Sequence, residues 1–233
     1  MENEENKQKL KKLNALNLRD RVERELRTAI LSGVFQPGQK LVEYDIAEQL
    51  EVSRAPVREA LTALQKDGLV VDIFRRGYFV PVFNETDIHE IYEVRTLLEV
   101  GGLRMAYPKL TEVEFDHLQA IIDTLGDYLT NSEKKNSVPD VDIEFHEYLM
   151  SLANNKRLYS AWKSIKTQSQ LLIGITSRTD YEYLEEPKTI HQNLLNAIRY
   201  KDLAEAEKAL EHHLLDAKER AIKNLQKKND LVH

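Results

Sequence analysis

The sequence predicts a mainly α-helical chain of two unlike parts: a small N-terminal unit of helices closed by a β-ribbon, then an all-α antiparallel bundle of six or so helices. Three observations carry this. Apolar residues recur at three- and four-residue spacing through most of the chain, the period of a helix with one buried face. The clearest β-prone runs are Leu69-Val70-Val71 and Tyr78-Phe79-Val80, and little beyond residue 84 reads as strand. Charge is divided unevenly: residues 15–80 hold ten Lys/Arg and ten Asp/Glu, whereas residues 81–233 hold 19 and 26, a net of −7.

The elements of the first part follow in order. Residues 1–14 are polar and charged and predict a disordered tail. Leu18 to Ser32 carries Val22, Leu26, Ala29 and Ile30 at helical spacing; Gly33 ends that helix, and Gln36-Pro37-Gly38 makes a turn before a short strand at Leu41. Tyr44 to Val52 is a second helix burying Ile46, Ala47 and Leu50. A short turn leads to Ser53, an N-cap whose hydroxyl can accept a bond from an orphan first-turn N–H. Pro56 is tolerated in that turn, where an N–H has no helical partner to lose. Val57, Ala60, Leu61 and Leu64 form the apolar face of this third helix, and Lys66-Asp67-Gly68 supplies a C-cap glycine. The two β-prone runs then flank Arg75-Arg76-Gly77.

Helix, short strand, helix, helix and two-stranded wing, over residues 15–82, make a winged helix-turn-helix. In such a unit the N-terminal end of the second helix of the pair meets base edges in the major groove. Arg54 and Arg58 lie four apart at that end, and the arginine fork suits guanine O6 and N7 or a phosphate. Arg75 and Arg76 at the wing tip are placed to touch the backbone or the minor groove. Ser53, Arg54, Arg58, Arg75 and Arg76 are the candidate DNA-contacting residues. Because the unit has no net charge, its positive charge must be focused at those arginines rather than spread as a basic footprint.

Composition bounds the remainder. The winged helix uses about 65 residues, leaving roughly 150 for a second domain of ordinary size. No apolar run approaches the ~20 residues that span a bilayer, and the charged N-terminus is not a secretory signal. There are no cysteines, which excludes disulfides, thiolate metal sites and cysteine nucleophiles. A cytoplasmic location fits these features. The acidic second part is a poor surface for nucleic acid.

That second part, residues 83–228, reads as six helices near 85–106, 112–130, 140–153, 156–177, 186–200 and 202–227, with loops at 131–139 and 178–185. Asn84 with Asp87, and Thr111 with Glu114, have capping spacing at the first two N-termini. Four polar residues fall on faces that should be buried. Asp142 and His146, four apart, share the stripe of Phe145, Leu149 and Leu152. His191 lies with Ile190, Leu194, Leu195 and Ile198. His213 lies with Ala206, Leu210 and Ala217, whereas His212 falls with Glu205, Lys208, Asp216 and Glu219 on the wet face. His191 precedes the turn at Lys201-Asp202 by about ten residues and His213 follows it by about twelve, so at ~1.5 Å rise per residue both sit at one level of an antiparallel pair. Asp142, His146, His191 and His213 thus compose a candidate metal site. A thiolate-free set of this kind suits Zn, Ni, Mn or Fe, with Zn or Ni favoured, and leaves coordination positions open. Separately buried histidines bonded to backbone or to one another are the plainer explanation, which the shared phase and level argue against. Arg95 lies on the inner stripe of Ile88, Ile91, Tyr92 and Glu99; its partner is either Glu99 or the carboxylate of a bound acid. Gln168 and Asn193 are further candidates to line the same cavity.

The separated positions Leu31-Ser32-Gly33, Pro37-Gly38, Leu41, Val52-Ser53-Arg54, Pro56-Val57-Arg58-Glu59-Ala60-Leu61, Gly68-Leu69-Val70 and Arg76-Gly77 resemble the DNA-binding domain of the GntR family of bacterial transcription regulators. That resemblance implies an operator-binding role for Arg54, Arg58 and Gly77. Asp142-x-x-Phe145-His146, His191, Ala197-Ile198, Asp202, Ala206 and His213 resemble the FCD effector-binding domain of the FadR-like subgroup. Its metal-binding members use an Asp and three His, which map onto Asp142, His146, His191 and His213, and their effectors are small organic acids; an arginine at the position of Arg95 often binds ligand there. The expectation is a homodimeric, metabolite-responsive regulator on a palindromic operator, with no enzymatic activity. Two alternatives stand beside it: a metal-dependent hydrolase-like enzyme, with Glu99 as its only evident base, and a winged-helix interaction adaptor.

Overall fold

The computed structural model describes residues 15–131, 138–177 and 186–230; the predicted tail and most of both predicted loops lie outside these. The N-terminal part runs α1 (Ala15–Leu31), β1 (Lys40–Leu41), α2 (Glu43–Gln49), α3 (Arg54–Lys66), β2 (Val71–Ile73) and β3 (Gly77–Phe79). Its core is a shell of Val22, Leu26 and Ile30 from α1, Ile46 from α2, and Val57, Leu61 and Leu64 from α3, closed by Leu41, Leu69, Val70 and Val80. Two of these show why the ribbon is shorter than the β-prone runs. Leu69 and Val70 go into the core, and the strand begins where the chain leaves it, at Val71, 40% exposed.

The sheet is antiparallel in the order β1-β3-β2, with Leu41 and Asp72 both opposite Tyr78. Its tip turns on Arg75, at φ +62°, and Gly77, at φ +95°. Glycine takes the second value without the Cβ clash that another residue would meet. Ser53 has the extended backbone of an N-cap, but its hydroxyl makes no capping bond. Pro56 occupies the third helical position and removes one of the two N–H groups that a cap hydroxyl normally reaches.

The C-terminal part is the six-helix bundle: α4 (Glu85–Ala106), a single 3-10 turn at Tyr107–Lys109, α5 (Glu112–Thr130), α6 (Val138–Leu152), α7 (Lys156–Ser177), α8 (Glu186–Tyr200) and α9 (Leu203–Asp230). Both capping boxes form. Asn84 Oδ1 accepts from the Asp87 N–H at 3.1 Å and Asp87 Oδ2 from the Asn84 N–H at 2.7 Å. Thr111 and Glu114 close the equivalent pair on α5. Asp202 accepts from the Glu205 N–H at 3.0 Å and starts α9. The bundle core gathers Ile88, Leu103, Leu118, Ile122, Phe145, Leu172, Ile198, Leu210 and Leu214.

Helix α7 belongs to both parts. Leu172 faces the bundle core, whereas Leu171 and Ile175 pack into the core of the winged helix. Nearer the N-terminus of the same helix, Trp162 is wholly buried in the bundle with Ile143 and Met150.

Candidate metal centre and nucleic-acid interface

Arg54 and Arg58 project from the first turns of α3, with side chains 60% and 62% exposed. Neither is idle. Glu43, in the first turn of α2, accepts from Arg54 Nη2 at 3.0 Å and from Arg58 Nε and Nη2 at 2.8 and 2.9 Å. Hydrogen bonding from Arg58 holds the Glu43 carboxyl below its usual range, against a smaller opposing effect of burial. Thr62 Oγ1 and the Tyr78 hydroxyl, 3.1 Å apart, tie α3 to the wing. At the wing tip Arg75 lies 5.0 Å over the Phe74 ring and Arg76 5.4 Å over that of Phe79. All four arginines are exposed, and so is Ser53.

The second site is internal. His146 on α6, His191 on α8 and His213 on α9 are 1%, 2% and 7% exposed, and one ring nitrogen from each lies within 4.8 Å of the others. His146 Nε2 and His213 Nε2 are 3.2 Å apart. The neighbouring His212 is exposed and faces Asp216 at 3.4 Å, so the helical phase that separates His213 from His212 holds in the structure. Asp142, partly exposed at the rim, brings Oδ2 within 3.5 Å of His191 Nε2. Burial pushes the His191 imidazole below its ordinary value, with Asp142 opposing. His213 goes well below, through burial first and then through the neighbouring His191 and His146 rings, which disfavour a further proton. Neutral imidazoles are what a metal requires of its ligands.

The donor set fits a metal on one further ground. His191 Nδ1 is bonded to the Pro187 carbonyl at 2.8 Å, which leaves Nε2 as the free ligand atom. His191 Nε2 and His213 Nδ1 are both buried without a hydrogen-bond partner. Buried polar nitrogens left unpaired cost free energy that a ligand would recover.

Arg95 and Glu99 lie beside this cluster, each 2% exposed. Glu99 Oε1 accepts from Arg95 Nε at 2.8 Å and from Trp162 Nε1 at 3.1 Å; Glu99 Oε2 lies 2.6 Å from His146 Nδ1. Burial alone would raise the Glu99 carboxyl, but the Arg95 guanidinium and the hydrogen bonds from His146 and Arg95 outweigh it and hold the group far below its ordinary value. Arg95 is thus paired with Glu99, the first of the two partners expected of it. Its Nη2 is nevertheless buried and unpartnered, which leaves a donor for the second.

Gln168 and Asn193 are corrections. Asn193 is exposed: it follows His191 by two residues, about 200° around α8. Gln168 lies over Gly68, where an added Cβ would come within 2.5 Å of its Nε2. It lies against the turn just past the end of α3, not against the imidazoles. Sequence reasoning missed Glu43 and the Trp162 contact altogether, because their partners are 11, 15 and 63 residues away and lie on other elements.

An exposed arginine-bearing helix on a winged-helix head, packed through α7 against a bundle with a buried imidazole cluster, is the architecture of a class: transcription regulators with a DNA-binding head and a helical second domain. Residues 18–80 match the model for bacterial regulatory proteins of the gntR family, and residues 90–216 match the FCD domain. The chain belongs to the GntR family and carries an FCD domain; this is a family of transcriptional regulators, not of enzymes. It is 29% identical over 191 residues to the gluconate operon transcriptional repressor of Bacillus subtilis, covering 79% of this chain and 76% of that protein. It is 32% identical over 136 residues to the Nta operon transcriptional regulator of Aminobacter aminovorans, covering 56% of this chain and 61% of that protein. A GntR transcriptional regulator from Rhodococcus sp. RHA1 superposes with a TM-score of 0.76 at 31% identity, over 89% of this chain and 98% of that one. No helix among the described residues is long and apolar enough to cross a membrane.

Proposed function

We propose that this chain is a metabolite-responsive transcription regulator that binds a palindromic operator as a homodimer and senses a small organic acid at a metal-assisted site. Residues 15–82 form the operator-binding domain and residues 83–228 the sensor, working in the cytoplasm. One observation carries the sensing half: three buried imidazoles with converging nitrogens lie beside an arginine whose Nη2 is buried and unpaired. His146, His191, His213 and Asp142 would hold the metal, Zn or Ni in preference to Mn or Fe. The metal supplies a Lewis acid that attracts an anionic oxygen. Arg95 orients the acid by donating from Nη2. Glu99, bonded to three donors, is committed to that task and is no free base for hydrolysis.

On the DNA side, Arg54 and Arg58 address the major groove, Arg75, Arg76 and the Gly77 turn address the flanking groove or backbone, and Ser53 adds a hydroxyl at the helix start. Two-fold symmetry of the dimer would match two half-sites. The route between the sites is α7, which touches Glu99 through Trp162 and the head through Gln168, Leu171 and Ile175. An effector shifts operator affinity only as far as it favours one arrangement, and the coupling is reciprocal.

Native mass spectrometry of the purified protein, followed by elemental analysis, tests this. The expected result is a dimer with one transition metal per subunit, lost in His213→Ala and kept in His212→Ala. Equal metal content in those two variants overturns the site. Arg58→Ala should weaken operator binding in a shift assay by about 1–3 kcal/mol if it reads a base; unchanged binding removes it from the interface.

A further inference from the structure

Among the described residues, Glu99 is bonded to both halves of the sensor site, the metal-facing His146 and the anion-facing Arg95. The ion pair with Arg95, four residues away on the same helix, needs no contact with a second element. The His146 contact spans 47 residues and joins α4 to α6. It has a chemical consequence that packing does not. An ionised carboxylate can only accept hydrogen bonds, so at 2.6 Å the hydrogen between Glu99 and His146 belongs to Nδ1. In the neutral ring that a metal requires, the lone pair then lies on Nε2, the nitrogen that faces His213 at 3.2 Å. Trp162 from α7 donates to Oε1 and fixes the plane of the carboxylate, so the orientation of His146 is set by three elements together.

We infer that Glu99 is the positioning residue of the centre: its carboxylate fixes His146 as an Nε2 donor and holds Arg95 by Nε alone, leaving Nη2 for an incoming anion. The inference rests on the metal-and-acid reading above and adds to it the residue that sets ligand competence. Carboxylates in this relation to a metal-bound imidazole orient the ring and raise its basicity. Glu99→Gln keeps the shape and reverses the logic. An amide has one accepting oxygen and one donating nitrogen, so it cannot accept from both Arg95 Nε and His146 Nδ1 through separate oxygens. With its NH₂ toward His146, it stabilises the tautomer that carries hydrogen on Nε2, which is no ligand.

The test uses the full-length chain stripped of metal and titrated with Zn²⁺ against a chromophoric chelator. Glu99→Gln, checked by circular dichroism for its native helix content, should bind Zn²⁺ about 10- to 100-fold more weakly than the unsubstituted chain. In the same metal-free chain labelled with ¹⁵N-histidine, long-range ¹H–¹⁵N correlation should show His146 carrying hydrogen on Nδ1. Zn²⁺ binding by a folded Glu99→Gln variant as tight as that of the unsubstituted chain overturns the proposal, and so does hydrogen on His146 Nε2. A chain that takes up no Zn²⁺ sinks the metal reading instead, and the tautomer of His146 still decides the role of Glu99. The tautomer likewise decides it should Glu99→Gln fail to fold.

Discussion

Among the arginine–glutamate clusters of the described residues, two share one chemistry in opposite surroundings. Glu43 gathers Arg54 and Arg58 at the surface, where both guanidinium groups stay mostly in water. Glu99 gathers Arg95, His146 and Trp162 inside the bundle, where pair and partners are 2% exposed or less. In water such a pair contributes little to stability, because attraction is screened and two long side chains lose freedom. In the interior its making is no large gain over apolar packing, but breaking it strands a charge. The surface cluster is therefore exchangeable: its arginines can leave Glu43 for a phosphate or a base at small cost. The interior cluster is fixed, which is what a site needing one geometry requires.

The sharpest way to break this comparison is to remove each carboxylate in turn. Glu99→Ala leaves Arg95 buried and unpaired and should lower unfolding stability by about 3–5 kcal/mol, read as a shift of the denaturant midpoint at unchanged slope. A shift equivalent to under about 1 kcal/mol, the range of exposed pairs, would mean that water reaches Arg95, and the two clusters would then be alike.

Acid should separate the clusters next. His191 and His213 are held below the ordinary 6.5 by burial, so the folded metal-free chain resists protons that the unfolded chain accepts. Their neutral packing is fully compatible with folding above about pH 6.5. As pH falls below that value the unfolded state binds more protons, and stability declines toward the depressed folded values at up to about 1.4 kcal/mol per pH unit for each proton of difference. Thermal melts of metal-free protein from about pH 7.5 to about pH 5 should show the fall begin near the ordinary histidine value, and it should weaken when His213 is replaced by Gln. A flat profile would refute the neutral state of the imidazoles.

Much of this contrast was legible in the sequence wherever a short-range rule applied. Phase alone put His213 inside and His212 outside, because adjacent residues lie about 100° apart on a helix. Capping spacing placed the starts of α4 and α5. The winged helix followed from turns and apolar spacing over one continuous stretch. What escaped was tertiary. Glu43 meets Arg58 across a helix-turn-helix corner, and Trp162 meets Glu99 between α7 and α4; neither pair shares an element, so no helical period relates its members. Gln168 failed on phase instead. It lies six residues beyond Trp162, about 240° around α7, and so faces the head.

That contact gives a smaller effect at the joint between the regions. Gly68→Ala forces a Cβ onto a backbone at φ +74° and toward Gln168. The left-handed conformation costs roughly 1–2 kcal/mol for an L-residue; the contact adds to it only as far as the Gln168 side chain cannot swing away. Pairing Gly68→Ala with Gln168→Ala should recover the contact share and leave the backbone share. Full additivity of the two substitutions in a double-mutant cycle would show that Gln168 does not bear on the recognition helix.

The smallest effect on stability belongs to Glu43, and it is the most telling for DNA. Glu43→Gln should leave the melting temperature within experimental error, since the bonds it weakens are exposed. It also removes a carboxylate that competes with phosphate for Arg54 and Arg58. Affinity for DNA of arbitrary sequence should rise at low salt, and the slope of log affinity against log salt should steepen by up to about 0.9 for each additional phosphate neutralised. Operator binding should gain less, because a freed guanidinium loses the fork orientation that Glu43 imposes, and base reading depends on that orientation. The ratio of operator to arbitrary-sequence affinity therefore falls. A Glu43→Gln protein with unchanged salt slope and unchanged ratio would show that the surface cluster dissolves in solution before DNA arrives, and that Glu43 orients nothing.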